Sequence, residues 1–253
     1  MSSSVAASRI DEFSRALASS VDDDLVRREG LDAFAVDGVV PAVIVTPSSE
    51  QEVSRALAAA FEFGLATIPF GGGDHMTLGN MPAAYDVALA TGRLHRIIAH
   101  EPADLTVTVE PGVRLSDLQA VLASHNQFLP LDPPATAAAT IGGLVASGVS
   151  GPMRHAFGTV RDWLIGIRVV HADGTISKAG GRVVKNVAGY EMTKLYAGSL
   201  GTLGVISEAT FKLMPAPVAH RDVAAFAHSP HAAVTLAFAA HDAGLALHAV
   251  ELL

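Results

Sequence analysis

The sequence predicts a fold of mixed helices and strands whose first sheet is parallel or mixed. Residues 41–68 have the pattern of a strand, a helix and a second strand, which is the usual connection between parallel strands. Three glycine-rich segments follow, at residues 69–75, 140–151 and 198–204. Apolar runs of β type separate these segments, so we expect sheet as far as about residue 213.

The first strand–helix–strand unit has clear end signals. Ser48 or Ser49 is placed to cap the helix, and Gln51 and Glu52 are placed to close a capping box. Gly64 is the residue type that ends such a helix. Residues 33–38 fit no element clearly. The expected bounds are 9–18 for an earlier amphipathic helix, 21–24 for an acidic turn, 41–45 for the first strand, about 63 for the end of the helix and 65–68 for the second strand.

The remaining elements are predicted from the same kinds of signal. Residues 172–175, Ala-Asp-Gly-Thr, are typical of a hairpin turn, and Ser116 is placed to cap a helix. Residues 214–217 have the composition of a linker, after which we expect a small strand–helix–strand piece. The further strands are expected at 86–90, within 93–100, and at 105–109, 128–129, 163–171, 176–178, 205–213, 223–226 and 245–253. The further helices are expected at 117–124, from about 141, at 191–196 and at 231–243.

Composition narrows the class of protein. The chain has 253 residues, of which 50% are hydrophobic, so a sizeable core is available. Its formal net charge of −8 argues against a nucleic-acid binder, which would need a basic field. Because it contains no cysteine, it can hold no disulfide, thiolate zinc site or iron–sulfur cluster of its own. The first residues lack a signal-peptide pattern and no apolar run approaches membrane-spanning length, so we expect a cytoplasmic protein.

The segment from Pro69 to His75 contains three consecutive glycines, Gly71, Gly72 and Gly73. Glycine lets the backbone come close to a ligand, and successive amides in such a turn form an anion-binding nest. The alternative is a plain glycine turn between two elements. The segment is not a P-loop, because no Lys-Ser or Lys-Thr follows, and its glycine spacing differs from the Rossmann fingerprint.

A second glycine-rich segment begins at Thr140, and a short helix is expected to start near Ile141. Its first N–H groups would be free to bind an anion. The alternative is a helix packed tightly on a sheet, where glycine permits a close approach. We favour the ligand interpretation, because two phosphate-type segments in one domain are unlikely to be coincidental turns.

Histidine is frequent in the last part of the chain, which raises the question of a metal site. None of these residues forms a His-Glu-x-x-His pattern, and no carboxylate pattern accompanies them, so no metal site is expected. The histidines are at positions 220, 228, 231, 241 and 248.

Seven short motifs, taken in order, resemble the FAD-binding domain of the vanillyl-alcohol oxidase type, also called the PCMH type. The resemblance covers about residues 37–217. Within this family, the motifs are most similar to those of the FAD-binding E chain of glycolate oxidase. The motifs are Pro-x-Gly-Gly-Gly at 69–73, Glu-Pro-Gly at 110–112, Thr-Ile-Gly-Gly at 140–143, Ser-Gly at 147–148, Gly-Thr-Val-Arg-Asp at 158–162, Lys-Asn-Val-Ala-Gly-Tyr at 185–190 and Gly-Ser-Leu-Gly-Thr-Leu-Gly-Val-Ile at 198–206.

The resemblance implies an α+β fold of two subdomains that hold FAD, bound non-covalently, between them. Carried over position by position, it also implies four groups of cofactor-binding residues. These are Pro69, Gly71, Gly72, Gly73, Asp74 and His75 around the pyrophosphate; Thr140, Gly142 and Gly143 at the pyrophosphate and ribityl region; Ser147, Gly148 and Gly151 along the flavin; and the backbone of Val205 or Ile206 at the flavin or adenine end.

The glycine loop departs from the family pattern at two positions. Phe70 stands where the family usually has Arg or a similar residue, and Asp74 stands where it has Ser or Thr. A carboxylate beside a diphosphate is repulsive unless it turns away, so the backbone of the loop is the firmer expectation. His75 lies near the point where some relatives attach flavin covalently, but a solvent-facing or loop-stabilising role is expected here.

The resemblance further implies an FAD-dependent oxidoreductase, namely the FAD-binding subunit of a glycolate oxidase-type (2-hydroxy-acid dehydrogenase) complex. It would work with a catalytic flavin subunit and an iron–sulfur subunit on a small 2-hydroxy acid, and would meet the inner membrane only through that complex. The alternative is a truncated or flavin-free scaffold subunit that binds partners without turnover.

The expected domains are an N-terminal helical segment (1–36), the FAD-binding domain (37–217) and a short fragment of a cap domain (218–253). In this family the cap supplies most of the substrate-binding groups, so no catalytic residue is named. Arg154, His155 and Lys185 either face the flavin or substrate, or make ordinary ion pairs.

Overall fold

A computed structural model of the protein describes residues 3–18, 25–134, 138–181 and 191–251. The described residues form a mixed α+β fold with two larger sheets and one two-stranded sheet. The helices are α1 (Ser3–Ala18), α2 (Glu50–Glu62), α3 (Leu115–Ala123), α4 (Ile141–Ser147), α5 (Arg154–Phe157), α6 (Val160–Trp163), α7 (Met192–Tyr196) and α8 (Pro230–Asp242). The strands are β1 (Val26–Arg27), β2 (Val43–Val45), β3 (Thr67–Phe70), β4 (Val87–Ala90), β5 (Ile97–Glu101), β6 (Thr106–Val109), β7 (Gln127–Phe128), β8 (Leu164–Val170), β9 (Ile176–Gly180), β10 (Val205–Lys212) and β11 (Met214–Pro215).

The first sheet has the order β1-β2-β4-β3. Strands β2, β4 and β3 are parallel and β1 is antiparallel, which confirms the predicted parallel or mixed sheet. Helix α2 connects β2 to β3 and begins at the predicted cap, where the Ser49 hydroxyl accepts a hydrogen bond from the Glu52 amide. The Glu52 carboxylate reaches back to the Ser48 amide at 2.6 Å, and Gly64 ends the helix with a φ of 62°. These local signals fix where β3 begins.

The second sheet is antiparallel throughout and has the order β5-β6-β10-β8-β9. Strands β8 and β9 are joined by the predicted hairpin turn, in which Gly174 has a φ of 83°. Helix α3 begins at Leu115 with Arg114 as its N-cap, so the prediction that Ser116 caps it is wrong. The buried positions Leu115, Leu118 and Leu122 recur at helical spacing, and packing of this face brings Leu115 into the helix.

The two larger sheets share a core. Residues of the first sheet and of helices α1 and α2 pack together with Val170 of β8 and Val205 of β10. A second cluster lies between the other part of the antiparallel sheet and helices α3 and α4, where Phe211 and Ile141 are fully buried. The beginning of β10 therefore lies where the two subdomains meet.

The two ends of the chain show where the sequence prediction is limited. Helix α1 begins earlier than predicted, and the acidic turn expected at 21–24 lies outside the described residues. Residues 214–215, expected to be in a linker, form β11 and pair with β7. Helix α8 is present as predicted, but residues 223–226 and 245–251 form no strand, and residues 252 and 253 lie outside the described residues.

The missing strands have a physical reason. A strand needs a neighbour for its backbone groups, and residues 223–226 and 245–251 pair with no strand of the described sheets. No residue in the described range 218–251 is buried. The ring contacts of this range to α5 are those of His241 with His155 and of His248 with Phe157.

Candidate cofactor site

A cavity of about 320 Å³ is lined by both subdomains. The first subdomain contributes the end of β3 and the glycine loop that follows it. The second contributes the start of α4 and the loop that leads into β10. Most of the predicted site residues line this cavity: Pro69, Gly71, Gly72, Gly73, Asp74, His75, Thr140, Gly142, Gly143, Ser147, Val205 and Ile206. The structure therefore brings together three segments that are far apart in the sequence.

The glycine loop needs its glycines for packing. A side chain at Gly72 would place its Cβ 2.0 Å from the carbonyl oxygen of Ala138, and one at Gly71 would lie 2.6 Å from the Thr140 hydroxyl. Gly73 has a φ of 88°, which side-chain-bearing residues rarely adopt. The loop is consequently pressed against the segment that leads into α4.

The amides of this loop remain available to a ligand. Among the hydrogen bonds of the described residues, none uses the amide of Gly72, Gly73 or Asp74 as donor. Gly72 and Asp74 are exposed and Gly73 is half-buried, so these N–H groups are open to solvent, and successive amides in such a turn form a nest suited to an anion. The anion-binding nest and the plain glycine turn, which the sequence left as alternatives, are thus compatible. The glycines make a tight turn, and the amides of that turn remain available.

Helix α4 differs from its prediction. Its first N–H groups are not free, because the Ile141 amide donates to the Val113 carbonyl at 2.9 Å and the Gly142 amide donates to the Pro111 carbonyl at 2.8 Å. The Gly143 amide donates to the Thr140 hydroxyl. The absence of a side chain at Gly142 lets α4 approach Pro111, whose Cβ would lie 2.6 Å from an added Cβ. The start of α4 is therefore a packing contact that also forms part of the cavity wall.

Two predicted site residues, Gly148 and Gly151, do not line the cavity. Gly148 ends α4 with a φ of 67° and lies close to the backbone of Gly198. Gly151 passes so near Asp132 that an added Cβ would lie 1.9 Å from its carbonyl oxygen. Both glycines allow another stretch of backbone to pass close by. A pattern of small residues therefore does not by itself show that these positions contact a ligand.

The cavity holds little charge. Among its described lining residues, only Asp74 and His75 are titratable, and Asp74 is exposed. Arg154 and His155 are not among the lining residues, and Lys185 and the rest of the motif at 185–190 lie outside the described residues. The buried hydroxyl of Thr67 has no partner among the described residues, although Thr67 lines the cavity. An anion in this part of the site would therefore be held by amides and hydroxyls.

Several lining residues were not predicted as site residues. Phe70, Pro111 and the residues of the third glycine segment belong to motifs recognised in the sequence, and the others have no pattern of their own. They are Val36, Thr67, Ile68, Phe70, Met76, Leu78, Gly79, Asn80, Pro82, Thr91, Pro111, Ala139, Leu144, Ala146, Leu200, Gly201, Thr202 and Gly204.

The chain matches a known family of cofactor-binding domains. A family model described as an FAD binding domain matches residues 41–180, which include the glycine loop and α4. The chain belongs to the family of PCMH-type FAD-binding domains. FAD is the cofactor of this family, and the cavity fits it in chemistry. Free amides suit a diphosphate, and apolar walls suit the ring systems.

Relatives of this FAD-binding domain are named as oxidoreductases. The chain is 35% identical to the glycolate oxidase subunit GlcD of Bacillus subtilis, covering 70% of the chain and 38% of GlcD. It is 35% identical to the mitochondrial D-lactate dehydrogenase (cytochrome) of Arabidopsis thaliana, covering 85% of the chain and 37% of the relative. It is 43% identical to the glycolate oxidase subunit GlcE of Escherichia coli (49% and 36%). The chain therefore spans well under half the length of these relatives.

Solved structures agree on the fold. An alkyldihydroxyacetonephosphate synthase superposes with a TM-score of 0.70 at 24% identity, covering 82% of this chain and 41% of the other. Phl p 4.0202, a glucose dehydrogenase, superposes with a TM-score of 0.67 at 18% identity, covering 81% of this chain and 44% of the other.

In the part of the chain that the structure describes, no helix is long and apolar enough to cross a membrane.

Proposed function

We propose that this chain is the FAD-binding subunit of a glycolate oxidase-type complex that oxidises a small 2-hydroxy acid. The observation that carries the proposal is the glycine loop, in which the amides of Gly72, Gly73 and Asp74 donate to no other described residue and which lines a cavity shared by both subdomains. The family match and the names of the relatives support the same assignment.

Particular groups of the chain are suited to hold the cofactor. The amides of Gly72, Gly73 and Asp74 would bind the diphosphate, and the Thr67 hydroxyl, which has no partner among the described residues, would gain one. Val205 and Ile206 also line the cavity, and their backbone would meet a ring system. When bound, FAD supplies the electron acceptor, and the protein contributes position and electrostatics.

The substrate and the partners follow from chemistry and from the names of the relatives. Glycolate and D-lactate are both small 2-hydroxy acids, so the substrate class is shared by the relatives. Oxidation of such an acid needs a base and a cationic group for the carboxylate. The described cavity lining has no Lys or Arg, so we assign these groups to other parts of the complex, with a catalytic flavin subunit and an iron–sulfur subunit as partners in the cytoplasm.

Cofactor binding is tested by titrating the purified chain with FAD in a calorimeter and recording the flavin absorbance of the complex. We expect one FAD per chain, released on denaturation because it is not covalently attached. FMN, which lacks the adenosine half of FAD, serves as the matched ligand and should bind more weakly. A colourless chain that takes up no FAD would contradict the proposal and favour a flavin-free scaffold subunit.

The assignment to a complex needs a separate experiment. The chain is co-expressed with a catalytic flavin subunit and an iron–sulfur subunit, and turnover of glycolate and D-lactate is followed with an artificial electron acceptor. We expect turnover with the FAD-loaded complex and none with the isolated chain. Equal turnover by the isolated chain would show that the base lies within it.

A further inference from the structure

An ion-pair network connects the two subdomains beside the cofactor cavity. Glu50 is the first residue of α2, and its carboxylate accepts hydrogen bonds from both Nε and Nη2 of Arg168 on β8, at 2.8 and 2.5 Å. The Ser207 hydroxyl on β10 donates to the same carboxylate at 2.6 Å. The Glu50 and Arg168 side chains are only 17% and 30% exposed, so solvent screens this contact less than a surface ion pair.

Ser207 occupies an irregular position in its strand. Along the pairing of β10 with β8, Ile206 lies opposite Val169 and Glu208 lies opposite Arg168, which leaves Ser207 as an extra residue. Such a bulge twists a strand locally and redirects its side chains, and bulges are frequent next to functional sites. Ser207 is nevertheless buried, at 5% exposure, and its hydroxyl is directed to Glu50.

The bulge lies directly beside the cavity wall. Val205 and Ile206 line the cavity and immediately precede Ser207 in β10. Glu50 lies in the other subdomain, at the beginning of the helix that leads to β3 and the glycine loop. The three side chains therefore join the strand that carries Val205 and Ile206 to the helix that leads to β3 and the glycine loop.

We propose that Glu50, Arg168 and Ser207 are positioning residues for the cofactor: they hold the bulge of β10 so that Val205 and Ile206 face the glycine loop at the spacing that FAD requires. This inference rests on the proposed function. None of the three residues lines the cavity, so they act through the backbone of β10 and not by contact with the ligand.

A second cross-link provides a matched control. The Ser54 hydroxyl, one turn along α2, donates to the Gly174 carbonyl in the β8–β9 turn at 2.6 Å. It also joins α2 to the second subdomain, but its hydrogen bond goes to the β8–β9 turn and not to β10. If the network only contributes stability, then losing Ser54 and losing Ser207 should have the same consequences.

The test compares Ser207→Ala, Glu50→Gln and Ser54→Ala with the wild-type chain. For each, the FAD dissociation constant is measured by titration, and the unfolding of the FAD-free protein is measured separately. We expect all three variants to be somewhat less stable without FAD. Ser207→Ala and Glu50→Gln should bind FAD about tenfold more weakly, because each loses a hydrogen bond that involves a charged group, while Ser54→Ala should bind it as the wild type does.

The outcomes separate this inference from the proposed function. If the wild-type chain binds no FAD, the proposed function fails first. If the wild type binds FAD and Ser207→Ala differs from Ser54→Ala by less than about twofold in affinity, the network is merely structural and the inference is wrong. The circular dichroism of bound flavin is a further readout, which should change in Ser207→Ala and not in Ser54→Ala.

Discussion

The carbonyl oxygen of Ala138 occupies the space that a side chain at Gly72 would need, since an ideal Cβ there would lie 2.0 Å from it. The glycine loop and the segment before α4 are thus in backbone contact, and together they form one side of the cavity. A flexible side chain could rotate away from an added Cβ, but this backbone oxygen cannot. Position 72 therefore tolerates a side chain less well than a position that faces a flexible side chain.

Gly72→Ala is therefore expected to displace the loop and to weaken FAD binding by at least about tenfold, since free amides hold a diphosphate only at the right spacing. Titration with FAD measures the effect. Gly92→Ala is the matched control, because an added Cβ at Gly92 has no atom within 4 Å and its φ is not positive. Unchanged affinity in Gly72→Ala would mean that the loop does not bind the diphosphate.

Asp74→Asn is expected to tighten FAD binding by about twofold to fivefold at low salt. The carboxylate lies in the glycine loop but is exposed, so its repulsion of a diphosphate is weakened by water and disappears as salt is added. FAD titrations at low and high ionic strength measure this effect. Glu12→Gln on α1 removes the same charge elsewhere and should change nothing. A clear loss of affinity in Asp74→Asn would reveal a binding role for the carboxylate.

Tyr85→Phe is expected to stabilise the protein by about 1 kcal/mol, because a buried hydroxyl without a partner is costly. Tyr85 is 5% exposed and its hydroxyl has no partner among the described residues. Urea unfolding at neutral pH measures the gain in stability. Tyr196→Phe is the control, because the Tyr196 hydroxyl is not among the buried groups without a partner, and it should give no gain in stability. A loss of stability in Tyr85→Phe would indicate a bound water at this hydroxyl.

The same tyrosine makes the stability of the fold depend on pH in the alkaline range. Burial raises the pKa of Tyr85 from 10.0 to about 12. The unfolded chain therefore ionises first, so stability is complete below pH 10 and falls as the pH rises towards 12. Unfolding measured across this range should show a steeper loss for the wild type than for Tyr85→Phe. Parallel curves would contradict the assignment.

Glu50 makes the stability of the fold depend on pH in the opposite direction, in the acid range. The hydrogen bond from Arg168 lowers the pKa of Glu50 below its ordinary 4.5; burial opposes this shift, and the Ser207 hydroxyl adds to it. Because the folded pKa lies below the unfolded one, the stabilisation is present above about pH 4.5 and is lost as the pH falls through the folded value. The stability difference between wild type and Glu50→Gln should therefore shrink below pH 4.5. A difference that stays constant from neutral pH down to well below this value would contradict the prediction.

Local signals explain what the sequence predicted well. The cap at Ser49, the end of α2 at Gly64 and the turn at Gly174 each depend on a few neighbouring residues, and the structure confirms all three. The ordered motifs likewise identified the family, and most of the site residues predicted from them line the cavity. Such features can be read without knowing the fold, because their physical cause lies within one turn of chain.

Long-range contacts explain what was missed. The amides at the start of α4 are used by the carbonyls of Pro111 and Val113, a pairing that no local pattern indicates. The turn at Pro111 also shows that motif residues can be structural. Glu110 accepts hydrogen bonds from Arg96, and an added Cβ at Gly112 would lie 2.4 Å from the Thr91 carbonyl. The network at Glu50 was also invisible, since its three members come from distant segments.

Helix α8 has thirteen residues and no buried side chain. Isolated helices of about this length are marginal in water, so little beyond the Ser229 cap and the ring contact of His241 with His155 on α5 keeps it formed. Its amide protons should therefore exchange with deuterated solvent far sooner than those of β6 and β10, and a protease should cut before it without unfolding the rest. We therefore expect two cooperative units, of which the one that carries the cofactor cavity stays folded when the other opens.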